Sequence, residues 1–186
     1  YPEYVYGQQS KDLKYRTNWN APVIASPHDP KVLYFGTQKL LRSSDRGVTW
    51  EEISPDLTYD DPEKQGDISY QTLTALEESE FHSKLLYAGT DDGRLWRTRD
   101  GGNSWEDIRK APLPIRWISR IVASKHDFGT VYMTQTGRRD DDAAVYIWRS
   151  RDFGDSWEDI SSSIPAGPVN VIREDPEKDN IIYLGT

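Results

Sequence analysis

One short segment of this chain concentrates charged side chains that could bind a ligand. It runs Gln135-Thr136-Gly137-Arg138-Arg139-Asp140-Asp141-Asp142. The consecutive carboxylates Asp140–Asp142 could hold Ca²⁺ together with loop carbonyl oxygens. Arg138 and Arg139 could bind an anionic sugar or a carboxylate. A third interpretation is a solvated loop whose opposite charges neutralise each other, and the sequence leaves all three open.

Aromatic residues next to polar ones form the second group of candidates. Trp117 follows Arg116 directly, and Tyr70 lies in the segment Gln65–Gln71. An aromatic face beside an arginine is suited to stacking a sugar ring and binding its hydroxyl groups. Trp117 could equally wedge between neighbouring sheets of the protein. We expect Tyr70, Arg116, Trp117, Arg138, Arg139 and Asp140 to form the ligand site.

The acidic residues offer only an incomplete case for catalysis. A glycosidase needs two carboxyl groups, about 5–5.5 Å apart if retaining or 6.5–9.5 Å apart if inverting. Asp67, Asp91, Asp92 and Asp140 are candidates, but no spacing in the sequence pairs them, and Asp91-Asp92-Gly93 is typical of a hairpin turn. The sequence therefore favours a non-catalytic binding module, with glycoside hydrolysis as the alternative. Apart from the Ca²⁺ hypothesis it predicts neither cofactor nor metal.

A repeated octapeptide reveals the elements that position these residues. The pattern Ser/Thr-x-Asp-x-Gly-x-Ser/Thr-Trp occurs three times, and its aspartates lie 55 and 52 residues apart (100 − 45 and 152 − 100). A period near 50 residues built from short β-type segments indicates the blades of a β-propeller. The defining residues are Ser43, Asp45, Gly47 and Trp50, then Thr98, Asp100, Gly102 and Trp105, then Ser150, Asp152, Gly154 and Trp157.

These octapeptide residues suit a structural turn better than a site. Each glycine can take the positive φ of a tight hairpin. Each aspartate can accept hydrogen bonds from nearby backbone N–H groups, and each tryptophan should carry its ring inward. A residue that recurs at the same position of every unit is explained by the structure of that unit, so we expect a structural role for these residues. The histidines His28, His82 and His126 also recur in register, which points to turn chemistry rather than a histidine site.

Each unit contains four short apolar runs separated by Gly, Pro, Asn and Asp, which predicts four antiparallel strands, A to D. The chain is thus expected to be all-β, with about three full blades and a partial one. The expected units are 17–64, 65–113 and 114–164, with 165–186 as a partial blade. Residues 1–16, through Tyr4-Val5-Tyr6 and Leu13-Lys14-Tyr15, could add two strands that close a fourth blade. The alternatives are self-association of two copies and a place in a larger propeller.

Strand order separates two faces of such a disc. The A–B and C–D turns, with the octapeptides, share one face, and the B–C and D–A loops share the other. From the strand B tyrosine to the octapeptide tryptophan the spacing is 16, 18 and 25 residues (50 − 34, 105 − 87 and 157 − 132). The surplus in the third unit is the Gln135–Asp142 segment. We therefore place the ligand site on the B–C and D–A face.

The octapeptide resembles the Asp-box, or bacterial neuraminidase repeat. The blocks Asn18-Trp19-Asn20-Ala21-Pro22 and Ser26-Pro27-His28-Asp29-Pro30 look most like those of secreted bacterial proteins described as sortilin-like or glycosyl-hydrolase-like. The resemblance covers about residues 17 to 186. It implies a propeller fold and a secreted or periplasmic location. It does not decide between enzyme and binding protein, because both occur on this scaffold.

Composition narrows the classes of partner. The net charge is −8, so nonspecific nucleic-acid binding, which needs a basic face, is not expected. The chain has no cysteine, which excludes disulfides and thiol catalysis within it. No apolar run reaches the length of a membrane span. The expected partner is a glycan, a peptide or another protein.

Overall fold

The computed structural model describes residues 9–165 and 167–186, and their regular structure is almost entirely β-strand. The strands are β1 (Val23–Ala25), β2 (Leu33–Gly36), β3 (Leu40–Ser43), β4 (Glu51–Glu52), β5 (Leu73–Glu78), β6 (Leu86–Thr90), β7 (Leu95–Thr98), β8 (Glu106–Asp107), β9 (Trp117–Ala123), β10 (Val131–Gly137), β11 (Asp142–Ser150), β12 (Glu158–Asp159), β13 (Val171–Glu174) and β14 (Ile182–Gly185). The described residues contain three short 3-10 helices, Ser10–Asp12, Pro62–Lys64 and Arg138–Asp140, and no α-helix. The all-β prediction is confirmed.

Successive strands form antiparallel sheets in the order predicted for propeller blades. The first sheet is β1-β2-β3-β4, the second β5-β6-β7-β8 and the third β9-β10-β11-β12, while β13 and β14 form a two-stranded fourth sheet. The strands A of neighbouring sheets, β1, β5, β9 and β13, lie next to one another in that order. This is three full blades and a partial one, and the strands fall within the four expected units.

The hydrophobic core lies between neighbouring sheets. One cluster joins the first and second sheets, for example Tyr34 with Leu76. A larger one joins the second and third, and a smaller one the third and fourth. Each sheet therefore depends on its neighbour for burial, as expected for layers that bury their apolar faces against each other.

A glycine in strand B allows the sheets to approach closely. A Cβ atom on Gly89 would lie 2.5 Å from Cγ2 of Ile118 in the third sheet, and one on Gly36 would lie 3.0 Å from Cβ of Leu73 in the second. The third unit has Thr134 at this position, and its buried hydroxyl lies 2.8 Å from that of Ser119. The repeated Tyr-x-Gly-Thr block is thus explained by contact between blades.

The octapeptides form the turns between strands C and D, as predicted. In the third copy the Asp152 carboxylate accepts hydrogen bonds from the backbone N–H and the hydroxyl of Ser156, at 2.8 and 2.6 Å. Gly154 has φ 96°. The Asp45 and Asp100 turns repeat the same bonds. Each aspartate is therefore occupied within its own turn.

The three octapeptide tryptophans differ in burial, which corrects the expectation that each ring points inward. Trp157 is buried against the second sheet, and Trp105 is partly buried against the first. Trp50, in the first sheet, is 37% exposed and its indole N–H bonds only to Gly47 of its own turn, at 3.1 Å. An octapeptide tryptophan is buried by the sheet that precedes its own. The described residues contain no sheet before the first one, so Trp50 has none to pack against.

Residues 9–16 differ from the strands expected there. They contain the 3-10 helix Ser10–Asp12 and no strand. Arg16 is buried and its guanidinium lies 2.7 Å from Asp56, while its backbone N–H donates to the Gln38 side chain. These contacts attach the segment to loops of the first sheet. Tyr4-Val5-Tyr6 lies outside the described residues, so its part in closing a blade stays a prediction.

Candidate functional site

Five of the six residues expected in the ligand site line one cavity. The cavity has a volume of about 380 Å³ and lies on the face formed by the B–C and D–A loops. The five are Tyr70, Arg116, Trp117, Arg139 and Asp140; the other lining residues are Asp91, Asp92, Ile115 and Thr136. Residues from two D–A loops and two B–C hairpins thus meet at the junction of the second and third sheets.

The sixth residue, Arg138, lines an adjoining cavity of about 760 Å³. This second cavity extends over strands A, where Thr74, Ser119 and Arg120 form part of its wall. Trp117, Thr136 and Arg139 line both cavities. We call the two together the loop-face cleft.

The surplus residues of the third unit extend a hairpin rather than forming a free loop. Strand β10 continues to Gly137 and β11 begins at Asp142, with the Arg138–Asp140 turn at the tip. Asp141 takes the left-handed conformation, at φ 53°. The longer strands carry the charged tip over the loop-face cleft, so the insertion positions these side chains on regular structure.

Arg116 neutralises two of the three consecutive carboxylates. Its guanidinium bonds to Asp142 at 3.1 Å and lies 3.7 Å from Asp140. The Tyr146 hydroxyl also donates to Asp142, at 2.7 Å, and this bond is the first cause that holds the pKa of Asp142 below its usual range. The described residues contain no group of three or more His, Cys, Asp or Glu side chains that could hold a metal. The Ca²⁺ interpretation gains no support.

Trp117 faces the cleft and carries an arginine on its ring. The Arg139 guanidinium carbon lies 4.2 Å from the ring centroid, within the range of a cation–π contact. Trp117 begins β9 and is partly exposed. Its ring therefore does not serve only as a wedge between sheets, because it borders both cavities of the cleft.

The sequence offered Asp91 and Asp92 as candidate acids without a paired partner and as residues typical of a hairpin turn, and the structure buries both in the cavity. Asp91 and Asp92 are each 5% exposed. The Asp91 carboxylate accepts hydrogen bonds from the backbone N–H and hydroxyl of Thr72, at 2.8 and 2.9 Å. Asp92 accepts from the Tyr59 backbone, at 2.8 Å, and from the Thr90 hydroxyl. The sequence signal for these residues was two successive acids in one B–C turn. Their burial was not predictable from that turn, because the neighbouring loops cause it.

Burial changes the titration of this corner of the cavity. It raises the pKa of Asp91 to about 6, against the opposing effect of the Thr72 hydrogen bonds. Burial likewise raises the pKa of Asp92. The pKa of Tyr70 is raised first by burial and then by the charges of Asp92 and Asp91. The cavity therefore combines an aromatic wall with acids that are costly to ionise.

One other candidate acid and three recurring arginines lie away from the cleft. Asp67 is exposed and lines neither cavity. Arg42, Arg97 and Arg149 pair respectively with Glu51, Glu106 and Glu158, the first acid of each strand D. These recurring pairs belong to the repeat, so they do not form a cluster for a substrate carboxylate.

Comparison with known proteins establishes the family. The sortilin, or Vps10, family model, described as sortilin and neurotensin receptor 3, matches residues 17–184. The chain belongs to the sortilin–Vps10 family. Curated relatives include the oligoxyloglucan reducing-end-specific xyloglucanase of Emericella nidulans, 26% identical over 163 residues, which cover 79% of this chain and 18% of that protein. Sortilin of Rattus norvegicus is 27% identical over 100 residues, covering 54% of this chain and 12% of sortilin.

Solved structures confirm the propeller. An ancestral GH74 enzyme superimposes with a TM-score of 0.68 at 20% identity, over 92% of this chain and 22% of that one. The GH74 xyloglucanase of Xanthomonas campestris gives a TM-score of 0.66 at 21% identity, over 86% and 25%. At these identities the likeness concerns the fold alone. The chain spans about a fifth or less of the curated relatives it matches. Among the described residues, no helix is long and apolar enough to cross a membrane.

Proposed function

We propose that this chain is a non-catalytic binding module whose loop-face cleft takes an oligosaccharide. The observation that carries the proposal is the convergence of Tyr70, Arg116, Trp117, Arg139 and Asp140 on one cavity. Aromatic surface beside fixed charged groups is the combination that stacks a sugar ring and orients its hydroxyl groups. The glycan is favoured over a peptide partner because the cleft combines the aromatic rings of Tyr70 and Trp117 with side chains that can bind hydroxyl groups, among them Arg116, Asp140 and Asn170.

The shape of the cleft supports an extended ligand. The two cavities adjoin at Trp117 and Arg139, which line both, so a ligand bound at Tyr70 would extend past these residues towards Ser119 and Arg120. The combined volume of the two cavities is larger than a single sugar ring would fill. A short oligosaccharide that occupies both would contact the second and third sheets at once.

The hydrogen bonding of the acids favours binding over hydrolysis. All four oxygens of Asp91 and Asp92 accept hydrogen bonds from the protein, and both residues belong to a single turn. Asp140 lies 3.7 Å from the Arg116 guanidinium, so this carboxylate is already paired within the protein. A pair of carboxyl groups free to act on either side of a glycosidic bond is therefore not formed by these three residues.

Glycoside hydrolysis is the second candidate, and one observation favours it. The pKa of Asp91, about 6, suits a general acid at neutral pH, and Asp91, Asp92 and Asp140 line the same cavity. The similarity to a xyloglucanase is consistent with that activity in a longer protein. As a member of the sortilin–Vps10 family carrying Asp-box-like turns, the protein is proposed to act in a secreted or periplasmic setting.

Calorimetric titration with xyloglucan-derived oligosaccharides and with sialyllactose tests the proposal. We expect saturable binding of at least one glycan, abolished by the double substitution Trp117→Ala and Arg138→Ala. Trp50→Ala, on the octapeptide face, is the matched control and should leave the affinity unchanged. Equal affinity in the double variant, or absence of binding to any glycan offered, would overturn the cleft assignment.

The same samples separate binding from hydrolysis. Chromatography of the oligosaccharides after prolonged incubation should show no shortened products if the module only binds. Product formation that is lost in Asp91→Asn would establish the hydrolase alternative instead.

A further inference from the structure

A separate cavity lies on the opposite face, between the first and second sheets. Its volume is about 890 Å³, and the octapeptide turn of the second sheet and the A–B turn of the first form parts of its wall. Glu78, at the end of β5, lines it. Glu78 is 4% exposed, and its Oε2 atom has no hydrogen-bond partner among the described residues. Its other oxygen, Oε1, accepts from the Tyr34 hydroxyl at 3.1 Å.

The equivalent glutamate at another junction is fully bonded. Glu174, at the end of β13, accepts from the Ser124 hydroxyl through Oε1, at 2.7 Å, and from the Lys125 backbone N–H through Oε2, at 2.9 Å. A histidine confirms that the junctions correspond. His28 Nε2 lies 2.8 Å from the carbonyl oxygen after Glu78, and His126 Nε2 lies 2.8 Å from the carbonyl oxygen after Glu174.

One residue difference explains the missing bond. The A–B turn of the third unit reads Ser124-Lys125-His126, whereas that of the first reads Ser26-Pro27-His28. Pro27 stands where Lys125 donates its backbone N–H, and proline has none. The burial of Glu78 without that donor raises its pKa, although the Ser26 and Tyr34 hydroxyls act in the opposite direction. A buried carboxylate oxygen left without a donor is costly, and a ligand that supplies one recovers that cost.

The surrounding charges decide what kind of donor fits. Arg42 is paired with Glu51, and Lys84 is the other basic chain of the cavity wall. The wall also contains His28 and four further carboxylates, Asp29, Glu51, Glu52 and Asp100. Lys39, outside the wall, pairs with Glu52 at 2.7 Å, so five carboxylates are set against three basic chains, and this excess favours a cation. A guanidinium binds a carboxylate best through both oxygens, and Oε1 is already occupied by Tyr34.

We propose that Glu78 is the anchor of a second ligand site, which takes a primary ammonium group such as a lysine side chain. One N–H of the ammonium replaces the donor that Pro27 lacks, and its charge is balanced by the acidic wall. This site is independent of the loop-face cleft, because the two lie at opposite ends of the strands: A–B and C–D turn residues line one, and B–C and D–A loop residues line the other.

The test uses Nα-acetyl-lysine N-methylamide as the probe, in a two-dimensional ¹H–¹⁵N NMR titration at neutral pH. We expect saturable shifts at the amides of Ser83, Lys84 and Asn103, which line the cavity. The uncharged norleucine analogue should produce none. The arginine analogue should bind more weakly than the lysine probe.

Two substitutions and one control complete the test. Glu78→Gln removes the charge, and Pro27→Ala supplies the missing N–H; each should weaken binding about tenfold or more. Glu174→Gln, at the equivalent and fully bonded position, should leave binding unchanged. Equal shifts with the norleucine analogue, tighter binding of the arginine analogue, or unchanged affinity in Glu78→Gln would overturn the proposal. Retained amide dispersion shows in the same spectra that each variant is folded.

Discussion

The indole N–H of Trp105 donates a 2.8 Å hydrogen bond to the carbonyl oxygen of Ile53, which belongs to the preceding sheet. An octapeptide that is local in sequence therefore also holds two blades together. Trp157 packs in the same apolar cluster as Ile108 of the preceding sheet, but its indole N–H has no hydrogen-bond partner among the described residues. Trp50 bonds to Gly47 of its own turn.

This difference predicts unequal costs for the same substitution. Trp105→Ala removes a partly buried ring and a bond between sheets, and should lower the free energy of unfolding by about 3–5 kcal/mol. Trp50→Ala removes a ring that is already 37% exposed and should cost less than half of that. Urea denaturation of the two variants measures both values. Equal losses would show that the tryptophan contributes mainly within its own turn.

The turn aspartates should affect stability in a pH-dependent way. Although burial acts in the opposite direction, the hydrogen bonds from Ser156 hold the pKa of Asp152 at about 2, below the ordinary 3.8. A lowered folded-state pKa gives stability that is present above pH 3.8 and lost as the pH falls towards 2. Asp152→Ala should lower the Tm at pH 7, and this difference should shrink below pH 4. A difference that is constant across the range would contradict the hydrogen-bond explanation.

Close contact between blades predicts that Gly89 tolerates no side chain. The methyl group of Gly89→Ala would lie 2.5 Å from Ile118, so overpacking should destabilise the protein by about 1–3 kcal/mol. Gly66→Ala is the matched control, because nothing lies within 4 Å of its added Cβ. Thermal denaturation of the pair separates steric conflict from the general effect of replacing glycine, and a similar Tm for both would refute the contact.

Asp91 should make the protein less stable as the pH rises. Its folded-state pKa of about 6 lies above the ordinary 3.8, so the folded protein binds the proton more tightly than the unfolded chain. The resulting stability is full below about pH 4 and is lost as the pH rises through 6. Asp91→Asn removes this titration.

The measurement is therefore the Tm of Asp91→Asn relative to wild type between pH 4 and pH 7.5. The Tm of the variant minus that of the wild type should increase as the pH rises, whatever this difference is at pH 4. Asp67→Asn, at an exposed position, should show no such trend. A flat profile for Asp91→Asn would mean that Asp91 is solvated in the folded protein.

The sequence by itself determined the repeat, the strand order and the octapeptide turns. These depend on interactions within a few residues, as the bonds between Asp152 and Ser156 illustrate. Strand order then placed the irregular third hairpin on the same face as Arg116 and Trp117. The convergence of five expected residues on one cavity follows from that placement, while their role in binding stays a prediction.

Only the tertiary structure decided which members of each repeated set are buried and which are exposed. Trp50 and Trp157 have the same local pattern, yet only Trp157 has a sheet packed against it among the described residues. The burial of Asp91 comes from neighbouring loops, and the unbonded oxygen of Glu78 comes from Pro27 in the adjacent sheet. The repeated sequence determines the conformation of each turn. The burial and hydrogen bonding of a residue in that turn depend also on which residues of the neighbouring blade contact it.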